Sequence, residues 1–266
     1  MHLIYKRFAI ALAFAAALAF NVTAQAQNKD YTPSVGQDGK DVIWVPTPNE
    51  LIQKMLDMAK LTPSDVHFDL GSGDGRTVIA AAKRGTKAVG VEYNPDMVEL
   101  SKRAAQKEGV TARAEFIRGD IFETDFSKAT VLTLYLLPSL NLKLRPIILN
   151  MKPGTRVVSH AFTMGDWPAD QSETVEGRTA YLWIVPAKVD GNWRMEGGGD
   201  LALKQTFQKV EGSSSGKALS NAALSGDAIS FSVEGREYSG RLTGERIEGT
   251  VKVSGKDARW SAVRSK

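Results

Sequence analysis

The sequence predicts an α/β domain with a mainly parallel sheet, followed by a smaller all-β domain. From residue 44 onward, apolar strand-like runs alternate with helical patterns, and this alternation is typical of βαβ units. After Pro186 the pattern changes to short alternating strands separated by glycine-rich turns. A length of 266 residues has room for one or two domains, which agrees with this division.

The composition is that of a globular protein, with 42% hydrophobic and 24% charged residues. The sequence has no cysteine, which excludes a thiol nucleophile, a cysteine-ligated zinc site, an iron–sulfur cluster and a disulfide framework. The net charge of +4 falls to +2 if the first 26 residues, which contain Lys6 and Arg7 and no acid, are removed. In the all-β domain the basic residues are scattered among acidic ones, so we expect no nucleic-acid-binding surface.

The first 26 residues have the pattern of a secretory signal peptide. Lys6 and Arg7 precede the apolar run Phe8–Phe20, whose 13 residues are too few for a membrane-spanning helix. The small-residue pattern Ala24-Gln25-Ala26 predicts cleavage after Ala26. An uncleaved anchor is the alternative, and it would also place the rest of the chain outside. We therefore expect an exported, periplasmic protein with no stable membrane insertion after cleavage.

Three segments follow the signal peptide. Residues 27–43 are predicted to form a flexible arm, 44–186 the α/β domain and 187–266 the β-rich domain. The α/β strands are predicted at Val66–Leu70, Ala88–Glu92, Ala114–Arg118, Val131–Leu137, Thr155–Phe162 and Ala180–Val185. Its helices are predicted at Asn49–Leu61, Arg76–Arg84, Asp96–Glu108 and Leu140–Met151.

The β-rich domain contains an internal repeat. Leu224–Val233 and Leu242–Val251 match at an 18-residue offset, which predicts two related turn-plus-strand units. We expect a small meander or barrel. Its core is predicted to contain the aromatic residues Trp193, Phe207, Phe231, Tyr238 and Trp260.

A glycine-rich loop follows the first predicted strand. Gly71, Gly73 and Gly75 stand at alternate positions just before the helix that begins at Arg76. Glycines there allow a sharp turn and a close approach of the backbone to a ligand at the positive end of a helix. A dinucleotide-binding loop needs a third glycine after a different spacing, where this chain has Arg76. An NAD-dependent oxidoreductase is therefore disfavoured, and titration with NADH tests it.

Asp69 stands two residues before the first of these glycines. With this acid and the G-x-G-x-G loop, the chain resembles the class I S-adenosylmethionine-dependent methyltransferases. A carboxylate in this place suits the ammonium and the sulfonium of the cofactor that the resemblance implies, and it would be a poor neighbour for a pyrophosphate. The resemblance implies a Rossmann-like fold with a mainly parallel seven-stranded sheet, and S-adenosylmethionine as the cofactor.

The same family pattern implies two further acids. Glu92 ends the second strand, where its two oxygens can accept both ribose hydroxyls, and Asp120 follows the third strand, where it would contact the adenine amino group. Taken alone, the glycines could form a structural turn, Glu92 a solvated strand end and Asp120 a helix cap. Together they imply a cofactor site made of Asp69, Gly71, Ser72, Gly73, Asp74, Gly75, Glu92, Asp120, Ile121 and Thr47. Thr47 could instead cap its helix.

A narrower resemblance rests on Val45–Pro48, Asp69–Arg76 and Thr133–Leu144. These segments are similar to the bacterial relatives of the ATP-synthase c-subunit lysine methyltransferases. The similarity extends over Trp44–Trp167, about half of the predicted mature chain, and leaves the β-rich domain outside. It implies N-methylation of a protein lysine or another amine, although a glycine-loop match reports the cofactor more directly than the acceptor.

Methyl transfer requires an aligned and deprotonated acceptor. Tyr135, after the fourth strand, could orient an amine or pack in the core, and His160, at the end of the fifth strand, could be a base or a structural histidine. Outside the predicted signal peptide the only other histidine is His67, and no group of residues has metal-ligand spacing, so we expect no metal.

Export conflicts with a cofactor that is made in the cytosol. One hypothesis is an enzyme that acts outside the cytosol. The alternative is an exported, non-catalytic binding or scaffold protein that retains the methyltransferase fold. Asp69, Glu92 and Asp120 favour the enzyme, because an unused pocket has no physical reason to keep three carboxylates. The oligomeric state is open.

Overall fold

Two β-sheets form the framework of the protein in a computed structural model that describes residues 31–265. The predicted signal peptide, residues 1–26, and the start of the predicted arm lie outside the described residues. The compact unit considered below begins at Pro33. Among residues 31–265, no helix combines the length and the apolar character needed to cross a membrane.

The first sheet has seven strands in the order β3-β2-β1-β4-β5-β7-β6. Its strands are β1 Val66–Leu70, β2 Lys87–Glu92, β3 Ala114–Arg118, β4 Val131–Leu134, β5 Arg156–His160, β6 Gln171–Val175 and β7 Arg178–Ile184. The helices are α1 Asn49–Met58, α2 Arg76–Lys83, α3 Pro95–Lys107 and α4 Pro138–Ile148. The first five strands pair in parallel, whereas β7 and β6 are antiparallel to their neighbours. The predicted mainly parallel seven-stranded sheet is therefore confirmed.

The bounds of β5 and β7 differ from the prediction by one or two residues, and two larger differences concern β4 and β6. β4 ends at Leu134 instead of Leu137, and α4 begins at Pro138, whose fixed φ suits a first helical turn. β6 has no counterpart in the prediction, because its sequence Gln-Ser-Glu-Thr-Val alternates exposed and half-buried positions and contains no apolar run. Edge strands of this kind leave a weak pattern in the sequence.

The middle of the sheet brings the carboxyl ends of several strands to one edge. All four residues of β4 are buried, and β1 next to it is buried at four of its five positions. Helices on both faces explain why these strands read as continuous apolar runs. Ligands of such sheets bind beyond the carboxyl ends of the strands, which is where the glycine loop leaves β1.

The second sheet has nine antiparallel strands and is nearly closed. They are β8 Gly191–Met195, β9 Asp200–Thr206, β10 Lys209–Ser214, β11 Lys217–Ala218, β12 Ser220–Ser225, β13 Ala228–Val233, β14 Arg236–Thr243, β15 Arg246–Val253 and β16 Lys256–Arg264. Each strand pairs with the next along the chain except between β11 and β12, and β16 pairs with β8. The predicted domain boundary after Pro186 falls between β7 and β8.

The predicted repeat corresponds to two hairpins with two-residue turns. Gly226 and Gly244 begin these turns with φ of +57° and +60°, conformations that favour glycine. Of the aromatic residues predicted for the core of this domain, four are buried there: Trp193, Phe231, Tyr238 and Trp260. The prediction was wrong for Phe207. Its ring stacks on Trp167 of the first domain at a centroid separation of 6.0 Å, because the β9–β10 turn reaches across to that domain.

Candidate active site

The glycine loop turns back over the end of β2. Gly71, Gly73 and Gly75 have φ of +79°, +55° and +79°, a region that residues with a Cβ rarely adopt. The amides of Gly71 and Ser72 both donate to the carbonyl of Val91, at 2.9 and 3.0 Å. The predicted sharp turn is confirmed, and it is anchored to the neighbouring strand.

Each of these glycines is also in tight contact with another element. A Cβ on Gly73 would lie 2.7 Å from the indole Nε1 of Trp44, and one on Gly75 would lie 2.6 Å from the ring of Phe116. A Cβ on Gly71 would lie 2.9 Å from Leu136. The loop therefore needs glycine both for its conformation and for its packing.

Asp69 lies at the start of the loop, buried beneath it with 7% of its surface exposed. Its Oδ1 accepts a hydrogen bond of 2.6 Å from the hydroxyl of Thr133 on β4. The pKa of Asp69 is raised to about 7, mainly by burial and also by the nearby carboxylates of Asp74 and Glu92, and the hydrogen bond from Thr133 opposes the rise. A cation bound beside Asp69 would favour its ionised form.

Glu92, at the end of β2, accepts hydrogen bonds on both of its oxygens, one from the glycine loop and one from the residue before α3. Oε2 accepts from the amide of Gly73 and Oε1 from the amide of Asn94, each at 2.9 Å. Burial raises the pKa of Glu92, and these backbone bonds oppose the rise. The carboxylate is thereby fixed in orientation, with lone pairs left for further donors.

Asp120 follows β3 and faces the same cleft. Its Oδ1 accepts from the amide of Phe122 at 2.9 Å, and its Oδ2 forms an ion pair with Lys40. The hydrogen bond from Lys40 lowers the pKa of Asp120 and raises that of Lys40. The Lys40 ammonium also lies 5.0 Å from the centre of the Tyr93 ring.

Lys40 belongs to a hairpin, although this segment was predicted to be a flexible arm. The amide of Gly36 donates to the Trp44 carbonyl and the amide of Trp44 to the Gln37 carbonyl, both at 2.9 Å. Residues 37–47 line the cleft, and the indole of Trp44 covers Gly73. The arm carries turn-forming residues, and tertiary contacts with the loop and with Asp120 give them a defined place.

Tyr135 and His160 come together beyond the ends of β4 and β5. Their ring centroids are 3.8 Å apart, and His160 Nδ1 lies 3.1 Å from the hydroxyl of Thr47. Burial and, to a lesser extent, the charge of Arg178 lower the pKa of His160 to about 4. Thr47 makes no capping bond to α1, so its hydroxyl serves His160 instead. Tyr135 faces the cleft, whereas His160 lies behind it.

One cleft of about 1030 Å³, its open mouth included, brings most of the predicted site together. The predicted residues that line it are Thr47, Asp69, Gly71, Ser72, Gly73, Asp74, Glu92, Asp120, Ile121 and Tyr135. Two predicted residues do not line the cleft. Gly75 is the N-cap of α2, and His160 lies behind Tyr135. Within residues 31–265, no three or more His, Asp or Glu side chains are grouped so that they could hold a metal.

Several contributing residues had not been expected. Lys40 and Trp44 reach the cleft only through the hairpin, and the hydroxyl of Ser101 on α3 donates to the Gly73 carbonyl at 3.1 Å. Thr133 supports Asp69, and it had a signal in the sequence, because it is the polar residue of an otherwise apolar strand. The contacts of Lys40 and Trp44 have no comparable local signal.

The residues present fit S-adenosylmethionine. The buried carboxylate of Asp69 and the half-buried carboxylate of Glu92 suit a cationic ligand with hydroxyls, and Gly71 and Gly73 line the cleft with backbone alone. The acid at Asp120 can accept from an amino group at the far end of the cleft. When bound, this cofactor supplies a methyl group on a sulfonium, already activated for displacement.

Comparisons with known proteins agree with this fit. A family model described as the ANTKMT methyltransferase domain matches residues 69–171. A protein-lysine N-methyltransferase from Saccharolobus islandicus (strain REY15A) is 42% identical over 151 residues, which are 54% of this chain and 94% of that protein. The human ATP-synthase c-subunit lysine N-methyltransferase is 34% identical over 128 residues, 48% of this chain and 54% of that protein. The chain thus spans about half the length of the human relative.

A solved structure agrees as well. The crystal structure of an RNA methyltransferase from Salinibacter ruber in complex with S-adenosyl-L-homocysteine has 49% sequence identity and a TM-score of 0.53. The match covers 55% of this chain and 96% of that one. Fold and site together define a methyltransferase that uses S-adenosylmethionine. The chain belongs to the family of the ANTKMT methyltransferase domain, and its β-rich domain lies outside the matched residues.

Proposed function

We propose that the protein N-methylates a lysine side chain of another protein. The acidic lining of the cleft carries this proposal. Among the described residues, two basic side chains line it, Lys40 and Arg76, and each is paired with an acid of the cleft. The acids that line it are Asp38, Asp41, Asp69, Asp74, Glu92 and Asp120. This surplus of negative charge attracts a lysine ammonium and repels a phosphate backbone.

The relatives support a protein acceptor without deciding it. The archaeal and human relatives are described as lysine methyltransferases, whereas the solved structure from Salinibacter ruber is described as an RNA methyltransferase. An RNA substrate needs basic side chains that contact phosphates. Lys40 and Arg76 are already engaged by acids, so the electrostatics favours the lysine.

Methyl transfer requires that the lysine amine is aligned with the methyl carbon and has lost its ammonium proton. The amine nitrogen forms a bond to the methyl carbon while the carbon–sulfur bond breaks, the electron pair stays on sulfur, and the ammonium proton passes to water. Tyr135 faces the cleft next to the carboxyl end of β4 and can accept a hydrogen bond from the amine. His160 holds Tyr135 from behind by ring contact.

The test is transfer of labelled methyl groups from S-adenosylmethionine by the purified chain to a cell extract. Portions of the product are digested with protease or with ribonuclease, and the protein is hydrolysed to amino acids. We expect label in methylated lysine that ribonuclease does not release. At a subsaturating concentration of S-adenosylmethionine, Glu92→Ala should reduce incorporation strongly, and the surface variant Glu99→Ala should not. Label released by ribonuclease would make RNA the acceptor and overturn the proposal.

We further propose that the protein is exported to the periplasm by a signal peptide cleaved after Ala26. The basic head, the apolar run and the small-residue pattern support this. Fractionation of cells followed by N-terminal sequencing tests it. A periplasmic chain that begins at Gln27 is expected, and a cytosolic chain that retains residues 1–26 would contradict it.

A further inference from the structure

Three buried polar side chains form a line beneath the cleft. His67 and Thr133 are completely buried, and Asp69 is nearly so. The hydroxyl of Thr133 lies 2.8 Å from His67 Nε2 and 2.6 Å from Asp69 Oδ1. In the register of β1 with β4, Asp69 is directly opposite Thr133, and His67 is on the same face of β1 two residues earlier. Adjacent strands thus hold the line in place.

When Asp69 is ionised, only one donor–acceptor order satisfies the two hydrogen bonds of this line. A carboxylate only accepts, so Thr133 donates its single hydrogen to Asp69. The hydroxyl oxygen must then accept from His67, which requires the proton of the ring on Nε2. Burial lowers the pKa of His67 to about 3, so the ring is neutral and has only this one hydrogen.

We propose that Thr133 and His67 are positioning residues that hold Asp69 ionised and oriented toward the cationic part of the bound cofactor. The proposal rests on the role of Asp69 in cofactor binding, which is itself inferred from the position of its carboxylate in the cleft. Thr133 and His67 do not line the cleft, so they act through Asp69.

The surroundings of Asp69 explain why it needs such support. Burial opposes its ionisation, and the acids beside it oppose it as well. The charged and titratable groups that share its cleft come from four places. They are Asp74 with its partner Arg76, Glu92 and Tyr93 at the end of β2, Tyr135 after β4, and, from the hairpin, Asp38, Asp41 and Lys40 with its partner Asp120. A hydroxyl donor stabilises the carboxylate without adding a charge that would compete with the cofactor.

One ring nitrogen of His67 has no hydrogen-bond partner among the described residues. This nitrogen, Nδ1, is buried. With the proton on Nε2, this atom is an unpaired acceptor. If Asp69 were protonated and the line reversed, the ring proton would sit on Nδ1, and a buried N–H without a partner is the costlier state. His67 therefore favours the direction that keeps Asp69 ionised.

Calorimetric titration of the full-length chain with S-adenosylmethionine from pH 5.5 to 9 tests the proposal. The wild-type affinity should fall as the pH decreases through the pKa of Asp69. Thr133→Val should weaken binding about 10-fold at pH 7, the effect of losing a hydrogen bond to a charged group, and should move this midpoint to higher pH. Thr133→Ser keeps the hydroxyl and should restore both values.

Asp69→Asn distinguishes the cofactor-binding role of Asp69 from the positioning role of Thr133 and His67. It should weaken binding and remove the pH dependence. If it binds like the wild type, Asp69 does not hold the cofactor and both inferences are overturned. If it weakens binding while Thr133→Val changes neither affinity nor midpoint, the positioning role alone is overturned.

A measurement on the unmodified chain guards against variants that fail to fold. The sequence has only three histidines, so a ¹⁵N-histidine spectrum of the full-length chain can be assigned with His67→Phe and His160→Phe. We expect His67 to be neutral with its proton on Nε2 at pH 8. A proton on Nδ1 would reverse the line and overturn the proposal.

Discussion

Lys40 and Asp120, which both line the cleft, form an ion pair although 80 positions separate them in the chain. The pair ties the hairpin that precedes α1 to the loop that follows β3. It also engages the carboxylate that the family resemblance assigns to the adenine amino group. Asp120 therefore has two candidate partners, a lysine of its own chain and the cofactor.

Variants of this pair distinguish the two roles of Asp120. Asp120→Ala should weaken S-adenosylmethionine binding more than Lys40→Ala, because it removes a cofactor contact as well as the ion pair. The pair is partly exposed and therefore weak, so Lys40→Ala should change the dissociation constant less than about fivefold. Calorimetric titration measures both. Equal effects would mean that Asp120 serves only to hold the hairpin.

The packing of the loop against the hairpin predicts a steric effect at Gly73. Gly73→Ala should abolish cofactor binding and perturb the fluorescence of Trp44, because the new Cβ would meet the indole at 2.7 Å. Gly109→Ala is the matched control. Gly109 also has a positive φ, +68°, but nothing lies within 4 Å of its Cβ position. In both variants a Cβ at positive φ costs about 1 to 2 kcal/mol, and only the first adds a clash. Equal losses of affinity would show that strain alone matters.

Glu92→Ala should reduce the affinity for S-adenosylmethionine by about 10- to 100-fold, the range for hydrogen bonds to a charged group. The loss has two sources. The cofactor loses an acceptor, and the amides of Gly73 and Asn94 lose theirs. Glu99→Ala, which removes an exposed acid paired with Lys102 on α3, should bind normally. The same titration checks both variants, and an unchanged affinity for Glu92→Ala would contradict the assignment of the site.

His160→Phe should retain most of the methyltransferase activity. A phenyl ring can keep the contact with Tyr135, and a histidine whose pKa is lowered to about 4 is neutral throughout the physiological range. The wild-type pH–rate profile should accordingly have no inflection from His160 near 6.5. A loss of about 100-fold or more would instead indicate a general base. Initial rates measured from pH 5.5 to 9 decide between these outcomes.

His160 also predicts an effect of pH on stability. Its folded pKa lies below that of an unfolded histidine, so the unfolded chain binds an additional proton as the pH falls from 6.5 toward 4. The wild type should therefore lose stability over this window. His160→Phe should lose less, as measured by urea unfolding at pH 7 and pH 4.5. Parallel losses in the two proteins would contradict burial of a neutral His160.

Much of the first domain and of its site was predictable because the signals are local. Strand and helix periodicity placed β1, β2, β3 and the following helices to within a residue or two. Glycines with positive φ and acids at strand ends are fixed by the same short segments. Because parallel strands bring their carboxyl ends to one edge, the order Asp69, Glu92, Asp120 already implied a common cleft.

The sequence by itself thus determined the two-domain architecture, the loop and the carboxylates that line the cleft. Tertiary structure decided what surrounds them. It folded residues 34–44 over the cleft, joined Thr47 to His160 across 113 positions, and turned Phe207 toward Trp167. These contacts join distant segments, and their partners are chosen by packing and charge once the sheets have formed. No local period records such a choice, so only the folded chain reveals it.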